Sequence, residues 1–572
     1  MGYLASKRHR LRIVVPAFPA FNIYSRIARR TTALGPVRVA TAVNEMAGWD
    51  AEIIDENNLG RYGPIAHSGG ADHEQMQRER PADVVGFYGG LTSTAPRLYE
   101  LAKLYKRMGV TTIAGGQHFA GDNLAEALSS GIDCVVQGEG EETIQEILEA
   151  VENGHDMSHI RGIAYLKDGQ VACTPSREPL TDFDKFPFPD FSLVRYAKIQ
   201  IHPVERIRGC PMNCEFCTVK GKPRCASTGR LLENIKYLVE TRGAKSFFIV
   251  DDLFGQQRDD TVQFCHMLRE YQERIGRQFS ITAQIRLDKA RDPELLAAMR
   301  EAGIRYVAIG FESPIDEELQ AMNKHVSSAE MLSLVKVFRR FGFWVHGMFI
   351  FGYPARPEAG EPAEAATGPA LSVNERVKRF RRFIRKAGID SVQVLLPVPL
   401  PGTELRRRLE GQGRVYPLDD VGWEYYDGNF PLFEPDAPAT AEDLQRAGRR
   451  IMSRFYRFRY ALLVAASILS FPTLVFSLHR LREGWGRWYR RWETRIIRFG
   501  GWLTIQKWVS DFKKGDFLHR LQKARGRLHA ARAPQAQPIV SAPSHPAPTS
   551  RYTNQTRVQQ DAGHRDLDIR ER

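Results

Sequence analysis

Residues 208–217 read Arg208-Gly209-Cys210-Pro211-Met212-Asn213-Cys214-Glu215-Phe216-Cys217 and place three cysteines in one short loop. Their C-x3-C-x2-C spacing allows three thiolates to surround one iron–sulfur cluster. A [4Fe–4S] cluster usually takes four thiolates, so three would leave one iron open to a ligand that does not come from the protein. A zinc site is the alternative, because Cys225 lies about eight residues further on and offers a fourth ligand.

The cysteine spacing resembles the signature of the radical S-adenosylmethionine (SAM) enzymes, and Phe216 just before the last cysteine fits the same pattern. The resemblance implies that Cys210, Cys214 and Cys217 bind a [4Fe–4S] cluster whose open iron chelates SAM. One electron from the cluster would then cleave SAM and yield a 5′-deoxyadenosyl radical. A reductant protein of the flavodoxin or ferredoxin type is the implied electron donor.

The composition sets one C-terminal region apart from the rest of the 572 residues. Residues 446–532 hold 21 of the 81 Lys and Arg residues but only 4 of the 67 Asp and Glu residues, whereas the remainder is slightly acidic. The basic excess is therefore not spread over a nucleic-acid-binding core, and no nucleic acid partner is expected. Seven unevenly spaced cysteines argue against a disulfide framework and favour a reducing cytoplasm.

Residues 1–150 are predicted to form a doubly wound, Rossmann-like α/β domain. Short apolar runs alternate with helical patterns, which indicates a parallel sheet. Glycines follow the strand ends, where such sheets bind ligands. Neither a G-x-G-x-x-G motif nor a P-loop is present, so a dinucleotide or nucleoside triphosphate is not expected. The predicted strands are 11–15, 51–54, 83–88, 110–114 and 134–136.

Two stretches that follow strands, Gly115-Gly116-Gln117-His118 and Gly138-Glu139-Gly140-Glu141, look like parts of the cobalamin-binding domain that precedes many radical SAM barrels. The D-x-H-x-x-G motif, whose histidine ligates cobalt in some cobalamin proteins, is absent, so no histidine ligand from that motif is expected. A Rossmann-like scaffold that has lost its cofactor is the alternative, and a lone loop histidine is more often structural than a ligand. The resemblance implies cofactor contacts from Gly89, Gly90, Thr92, Ser93, Gly115, Gly116, His118, Gly138 and Glu139.

Residues 203–402 are predicted to form a partial (β/α)6 barrel, the fold that the radical SAM resemblance implies. A second series of alternating strands and helices covers this stretch, and barrel enzymes carry their chemistry at the C-terminal strand ends. The predicted strands are 204–207, 246–250, 279–283, 306–311, 344–351 and 392–396. Residues 151–202 are a connector with a hairpin signal at residues 167–169, and residues 354–371 read as a flexible insertion.

The candidate SAM-site residues follow these strands in turn. Asp251 and Asp252 occupy the position where the family often has Gly-Gly-Glu, so only a weaker role is carried over. Glu312 resembles the family's ribose-binding carboxylate, which suits two hydroxyl donors. Any one of these residues alone is more often a solvated loop residue or a helix cap, but their shared register favours a site. The full set is Asp251, Asp252, Arg286, Glu312, Ser313, Gly347 and Gly352.

Residues 446–532 are predicted to form a basic, Trp-rich helical region that associates with a membrane. Residues 460–478 carry no charge and are just long enough to cross a bilayer, but basic residues on both flanks favour an in-plane or re-entrant segment. Residues 485–503 place tryptophans and arginines on opposite faces, which suits the headgroup region. The expected partner is an anionic membrane surface on its cytoplasmic side, and deleting residues 446–572 is expected to leave a soluble protein. A buried core helix is the alternative.

The remaining regions complete the predicted organisation. Residues 403–445 are taken as a barrel-associated region whose aromatic residues serve core packing, with walls for an apolar substrate as the alternative. Residues 533–572 are rich in Pro, Ala, Ser and charge and are predicted to be a disordered tail.

The function implied by the resemblance is radical C-methylation of an unactivated carbon, with a [4Fe–4S] cluster, SAM and cobalamin as cofactors. The predicted membrane association of residues 446–532 favours a hydrophobic or lipid-like substrate. Hopanoid-type methylases are relatives that fit such a substrate. An anaerobic oxidative cyclase of the protoporphyrin-ester type remains an alternative within the family. A membrane-associated iron–sulfur protein that transfers electrons without SAM chemistry is the alternative from another class.

Overall fold

Two α/β units with largely parallel sheets follow one another along the chain. The computed structural model describes residues 9–532 apart from residues 24, 61, 68, 122, 357–370 and 470–481. The predicted tail at 533–572 lies outside the described residues. So do most of the predicted insertion at 354–371 and the second half of the uncharged stretch at 460–478.

The first sheet has eight strands within the described residues. They are β1 His9–Val15, β2 Trp49–Asp55, β3 Val84–Tyr88, β4 Thr111–Gly115, β5 Cys134–Val136, β6 Ile163–Lys167, β7 Gln170–Cys173 and β8 Val194–Arg195. The spatial order is β7-β6-β5-β4-β3-β1-β2-β8, and only the β6–β7 hairpin is antiparallel to its neighbours. The order β2-β1-β3-β4-β5 is doubly wound and reverses direction between β1 and β3, which confirms the predicted fold class.

Helices cover both faces of this sheet. They are α1 Ser25–Ala28, α2 Leu34–Asn44, α3 His73–Glu79, α4 Ala95–Arg107, α5 Leu124–Ser129 and α6 Gly140–Asn153. Because successive side chains of a strand point to opposite faces, Leu11 and Ile13 pack in the same core as α2 and α6, whereas Val14 packs in the core of α4. Burial on both faces explains the continuous apolar run of β1.

The second unit is an open, six-stranded parallel barrel. Its strands and the hairpin that precedes its first helix are β9 His202–Val204, β10 Ile207–Arg208, β11 Arg224–Cys225, β12 Ser246–Phe254, β13 Ser280–Ile285, β14 Ile304–Glu312, β15 Trp344–Ile350 and β16 Ser391–Leu395. Its helices are α7 Thr228–Arg242, α8 Arg258–Arg274, α9 Pro293–Glu301, α10 Asp316–Ala321, α11 Ser328–Arg340 and α12 Val373–Ala387. The sheet order is β16-β15-β14-β13-β12-β9, with every pairing parallel.

Burial alternates along the barrel strands. Phe247 and Ile249 of β12 are buried against the helices, whereas Phe248 and Val250, which alternate with them, are half-buried and face the interior. The same alternation on the other strands turns both polar and apolar side chains toward the interior, with Gln284 and Gln393 among the polar ones. The apolar ones include Phe248, Val250, Met348, Ile350 and Leu395.

Within the described residues, six helices follow strand β16, and two of them, 441–455 and 482–514, contact this strand, whose free edge is covered. The six are α13 Glu404–Gly411, α14 Leu418–Val421, α15 Ala441–Phe455, α16 Arg459–Leu469, α17 Arg482–Lys514 and α18 Phe517–Arg532. The Tyr456 hydroxyl lies 2.8 Å from the Val392 nitrogen and donates to the Val392 carbonyl at 2.7 Å, while the Val394 N–H lies 3.4 Å from the Met452 sulfur. An uncovered edge strand would be a site of aggregation. Deleting residues 446–572 would remove Met452 and Tyr456 from this edge, so the expected soluble product of that deletion stays a prediction that the edge contacts argue against.

In the basic region, one of the arginines that the helical pattern places opposite the tryptophans contacts the protein. Arg498 of α17 donates to the carbonyl oxygens of Ile389 at 3.0 Å and Asp390 at 3.1 Å, and to the Tyr460 hydroxyl at 2.8 Å. Arg498 therefore faces the protein, because these three oxygen acceptors lie within reach of its guanidinium. Further along the chain, α18 packs on aromatic residues of 403–440. These aromatic residues therefore belong to a hydrophobic core, which is the use that the sequence analysis favoured over a substrate pocket.

The hairpin of α16 and α17 lies at the N-terminal end of the barrel strands. The Tyr306 hydroxyl, near the start of β14, donates to Glu493 of α17, and Arg498 contacts the residues just before β16. The C-terminal strand ends lie at the opposite end of the barrel. Among the described residues, no helix is both long and apolar enough to span a bilayer.

Candidate active site

The cysteine loop leaves the barrel through a short antiparallel hairpin. Ile207 of β10 pairs with Cys225 of β11, and Arg208 pairs with Arg224, so the residues between them form a closed loop at the C-terminal end of the barrel. Arg208 also forms ion pairs with Glu139 at 3.0 Å and Glu141 at 2.6 Å. The loop is thereby tied to the turn that follows β5 of the first sheet.

Asp251 and Asp252 support this loop from below. One Asp251 oxygen accepts from the backbone nitrogens of Arg206 at 2.6 Å and Ile207 at 3.0 Å, and Asp252 accepts from the Gly209 nitrogen at 2.8 Å. Burial raises the pKa of Asp251 to about 7, although the two backbone hydrogen bonds act to lower it. The contacts of both carboxyls within the described residues are thus to the backbone at the base of the cysteine loop.

Cys210, Cys214 and Cys217 are partly exposed free thiols. Burial raises the pKa of Cys214 and Cys217, so cluster binding would release protons. The Val219 N–H donates to the Cys217 sulfur at 3.4 Å. No group of three or more His, Cys, Asp or Glu side chains in the described part of the chain is arranged to hold one metal ion. A four-iron cluster does not need such convergence, because each thiolate binds a different iron.

The other four cysteines are placed differently. Cys134 and Cys265 lie in hydrophobic cores, where burial raises their pKa to about 12, and Cys173 lies exposed on β7. Cys225 stands on β11 opposite Ile207, at the base of the hairpin. The zinc alternative, with Cys225 as fourth ligand, has no support from the metal-site geometry of the described residues.

Glu215, between the second and third cysteines, is fully buried. Its carboxylate accepts two hydrogen bonds from Arg408 of α13, at 2.6 and 3.0 Å, and a third from the Tyr353 hydroxyl at 2.7 Å. Its backbone is held as well, because the Glu215 N–H donates to Met322 O and the Leu405 N–H donates to Glu215 O, both at 3.1 Å. We name Glu215, Tyr353 and Arg408 the loop clamp. Phe216 beside it packs edge-on to Tyr353.

Glu312 ends β14 in a strained conformation that faces the cysteine loop. Its φ of 59° lies in the left-handed region, which a non-glycine residue adopts at some energetic cost and which is common at functional sites. Lys324 donates to the Glu312 carboxylate at 2.6 Å and to the Gly310 carbonyl at 2.9 Å. Burial is the largest cause of the raised pKa of Cys214. The next causes are the charge of Lys324, which lowers that pKa, and the charge of Glu312, which raises it. This ion pair therefore lies beside the middle cysteine.

The other predicted SAM-site residues have varied surroundings. Ser313 is buried and donates to Glu318, and Arg286 forms a half-exposed ion pair with Asp288 at 3.0 Å. Gly347 lies on the helix-facing side of β15, where a β-carbon would meet Ile389 at 3.0 Å. Gly352 lies against Leu444 of α15. Of the predicted set, Asp251, Asp252 and Glu312 therefore lie at the cysteine loop, whereas none of the contacts of Arg286, Ser313, Gly347 and Gly352 given above is with the loop.

A cavity of about 680 Å³ lies against the first sheet and reaches the barrel. Its walls come from the ends and one face of β1, β3, β4 and β5, from α2 and α6, and from Glu205, Arg208, Phe248 and Val250 of the second unit. The volume falls in the range of cofactor sites. No histidine is among the described residues of its wall.

Two strand-end glycines differ in what they make room for. Gly116 has a φ of 124°, and a β-carbon there would lie 2.6 Å from the backbone of Gly89, so the two loops can approach only without a side chain. Gly138 has a φ of 96°, and a β-carbon there would meet no atom within 4 Å. The turn after β5 thus leaves open space beside the cavity, which fits a large planar cofactor. Gly115 and Glu139 also line the cavity.

The remaining predicted cobalamin contacts lie below the cavity wall. Gly89 and Gly90 pack closely on Phe119 and Tyr88, and Thr92 and Ser93 are buried in the turn before α4. His118 is fully buried, its Nε2 lies 3.0 Å from the Tyr99 hydroxyl, and burial lowers its pKa to about 4. His118 therefore has the surroundings of a structural histidine.

Sequence reasoning missed four residues that organise this region: Arg208, Lys324, Tyr353 and Arg408. Arg208 lies two residues before Cys210, and Tyr353 lies just after the predicted strand 344–351, so position gave a signal for both. Lys324 and Arg408 lie far along the chain from their partners, and no local pattern distinguishes them from exposed basic residues.

The comparisons with known proteins agree with this arrangement. The family profile described as B12 binding domain matches residues 25–148, and that of the Radical SAM superfamily matches residues 204–359. An uncharacterized methyltransferase of Pyrococcus horikoshii is 30% identical over 462 residues, which is 78% of this chain and 92% of that protein. The anaerobic magnesium-protoporphyrin IX monomethyl ester cyclase of Rubrivivax gelatinosus is 25% identical over 67% of this chain and 68% of its own.

Further similarity extends to a hopanoid methylase and to two solved structures. The hopanoid C-2 methylase of Rhodopseudomonas palustris is 28% identical over 47% of this chain and 52% of its own length. The cobalamin-dependent SAM radical enzyme OxsB, with aqua-cobalamin and SAM bound, gives a TM-score of 0.58 at 14% identity, covering 91% of this chain and 84% of its own. The radical SAM methyltransferase TsrM of Kitasatospora setae gives 0.53 at 17% identity, covering 71% and 78%. At these identities the two structures show likeness of fold.

Proposed function

This chain belongs to the radical SAM enzymes that carry a B12-binding domain, and from that membership we propose that it methylates an unactivated carbon of a hydrophobic substrate. Enzymes of this kind use a [4Fe–4S] cluster, SAM and cobalamin. When bound, these cofactors supply the radical and the methyl group, and the protein binds and orients them. The observation that carries the proposal is that Arg208, at the base of the cysteine loop, also lines the large cavity of the first sheet.

The residues present suit the three cofactors. Cys210, Cys214 and Cys217 would hold the cluster, and the Glu312–Lys324 pair beside Cys214 offers a carboxylate and an ammonium to SAM. The cavity, with open space at Gly138, would take cobalamin. Since its described wall contains no histidine, we propose that no histidine of this chain ligates the cobalt.

An apolar substrate suits the interior of the barrel. Phe248, Val250, Met348, Ile350 and Leu395 contribute apolar side chains to this interior, and one relative is named a hopanoid C-2 methylase. The basic C-terminal region does not add to this argument, because the α16–α17 hairpin lies at the other end of the barrel. The substrate class therefore depends on the interior wall and on the relatives.

Anaerobic reconstitution of the full chain with iron, sulfide, SAM and methylcobalamin tests the proposal. We expect 5′-deoxyadenosine on reduction, and a product one CH2 heavier when a hopanoid lipid extract is supplied. Liquid chromatography with mass detection measures both, and the Cys214→Ala variant is the control. An oxidised, cyclised product from a protoporphyrin ester would favour the cyclase alternative instead. Absence of SAM cleavage would favour the electron-transfer protein.

We further propose that the α16–α17 hairpin binds an anionic membrane surface from the cytoplasmic side. Eight of the fifteen exposed large hydrophobic side chains of the described residues lie between Phe458 and Leu503, including Leu462 at 61% and Leu469 at 81% exposure. Arg381 lies near four other arginines. Burial is the largest cause that lowers the pKa of Arg381, and the charges of these arginines lower it further. They are Arg385, Arg450, Arg454 and Arg457. Exposed apolar side chains beside clustered arginines are typical of headgroup binding.

The double variant Leu462→Asp/Leu469→Asp is expected to lose at least about tenfold in vesicle affinity, because each leucine contributes on the order of 1.5 kcal/mol or more when buried. Co-sedimentation with phosphatidylserine-containing vesicles across a salt series measures this. The wild-type chain should bind more weakly at high salt but remain bound. Leu166→Asp, at an exposed leucine of β6, is the matched control. Equal binding of all three chains would contradict the proposal.

A further inference from the structure

A second depression opens on the outer side of the cysteine loop. It has a volume of about 650 Å³, and Cys210 is part of its wall, together with Lys220, Lys222, Glu404 and Arg407. Cys214 and Cys217 do not line it, and neither does Glu312. The depression is therefore distinct from the side of the loop on which the Glu312–Lys324 pair lies.

The charged rim of this depression is basic. Lys220, Lys222 and Arg407 are exposed. Lys220 donates to the Cys214 carbonyl at 2.6 Å and to the Asn213 side chain at 3.0 Å, which leaves its positive charge without an acidic partner in the described part of the chain. Lys222 and Arg407 form no ion pair with any described residue. The carboxylate of Glu404 is already paired with Arg356 at 2.7 Å.

We infer that this depression is the docking site of an acidic electron-transfer protein, a flavodoxin-type or ferredoxin-type reductant, which delivers the electron that the proposed function requires. One electron passes from the reduced donor to the oxidised cluster, the donor is oxidised by one electron, and no bond is made or broken. Three unneutralised cations around Cys210 attract an acidic surface and orient it. Because Cys210 itself lines the depression, a docked protein would lie one side chain away from the cluster.

Charge complementarity also selects against other occupants. A cationic or neutral partner would gain nothing from this rim, and an apolar substrate finds a better wall inside the barrel. The depression is wide and exposed, as a surface for a transient protein contact is. The inference deepens the proposed function by assigning a surface to its reductant, and it is testable without any methyl transfer.

The test uses the reconstituted full chain and a photoreduced, acidic flavodoxin as the probe. In the double variant Lys222→Glu/Arg407→Glu, the second-order rate of cluster reduction should fall at least about tenfold at low salt, as followed by the loss of cluster absorbance. The salt dependence of that rate should fall as well. Lys220 is left intact because it contacts the cysteine loop. The matched control is Lys167→Glu/Arg277→Glu, two exposed basic residues away from the loop.

Reduced methyl viologen, a small cation, provides the second measurement. The charge-reversed variant should be reduced by it at the wild-type rate or slightly faster, and the reduced cluster should give the wild-type EPR spectrum. Equal flavodoxin rates for the variant and the wild type would overturn the inference. A loss of equal size with both reductants would overturn it too, because a docking surface has no part in viologen reduction. A cluster that flavodoxin reduces normally in a chain that forms no methylated product would contradict the proposed function alone.

Discussion

Replacing Cys214 by alanine is expected to abolish the reduced-cluster EPR signal and all SAM cleavage. The thiol lies in the middle of the cysteine loop, beside the Glu312–Lys324 pair, so its loss removes one iron ligand at the point nearest the proposed SAM site. With two thiolates left, a four-iron cluster would have two irons without a protein ligand. Iron and sulfide content should fall to a small fraction of the wild-type values, as should 5′-deoxyadenosine formation.

Cys225→Ala is the matched control for this experiment. Cys225 is the nearest other cysteine and is partly exposed like the three loop cysteines, but it stands in the hairpin ladder opposite Ile207. The control should keep a full complement of iron and sulfide and the wild-type EPR spectrum. A full cluster in Cys214→Ala, or a lost cluster in Cys225→Ala, would contradict the assignment of the three ligands.

Replacing Glu215 by alanine is expected to lower the free energy of unfolding by about 3–5 kcal/mol, because it leaves the Arg408 guanidinium partly buried without its carboxylate partner. The variant should also release iron to a chelator faster, since the loop clamp holds the backbone between Cys214 and Cys217. Urea unfolding measures the first effect, and iron release at fixed chelator concentration measures the second.

The double variant Glu215→Gln/Arg408→Met distinguishes a clamp from an ordinary ion pair. Removing both charges should cost less than removing the carboxylate alone, because no unpaired charge remains. Iron release should nevertheless stay fast in the double variant, since the clamp is still missing. The exposed pair of Arg356 and Glu404 nearby is the comparison, and Glu404→Ala should cost no more than about 1 kcal/mol. Wild-type stability and iron retention in Glu215→Ala would contradict this account.

The fold followed from local patterns that the structure confirms. Alternating strands and helices predicted both sheets, because a buried parallel strand must be apolar on both faces and therefore appears as a continuous run. The cysteine loop and Glu312 were predicted by spacing and by position after a strand. These features are encoded within ten or so neighbouring residues, which is the range over which sequence patterns are informative.

The parts that could not be predicted depend on contacts between distant residues. Lys324 meets Glu312 only because a turn after α10 returns to the strand end, and Arg408 meets Glu215 across 193 residues of chain. The backbone contacts of Asp251 and Asp252 could not be predicted either, because they depend on β12 continuing through both residues to Phe254, which brings them under the loop. On α17, an amphipathic pattern did not reveal that a backbone edge rich in acceptors would attract Arg498.

The covered edge of β16 has a consequence for how the chain is made. The strand ends at Leu395, whereas the tyrosine that satisfies its backbone is Tyr456, about 60 residues later, and α17 follows only after that. Ribosomes add about 5–20 residues per second, so a nascent chain would display an unpaired strand for several seconds or more before its cover emerges. During that interval the barrel is open to pairing with a neighbouring nascent chain on the same message. The edge of β16 is therefore protected only once the later helices have been synthesised. Slow translation beyond residue 395 would lengthen the unprotected interval and should lower the soluble yield.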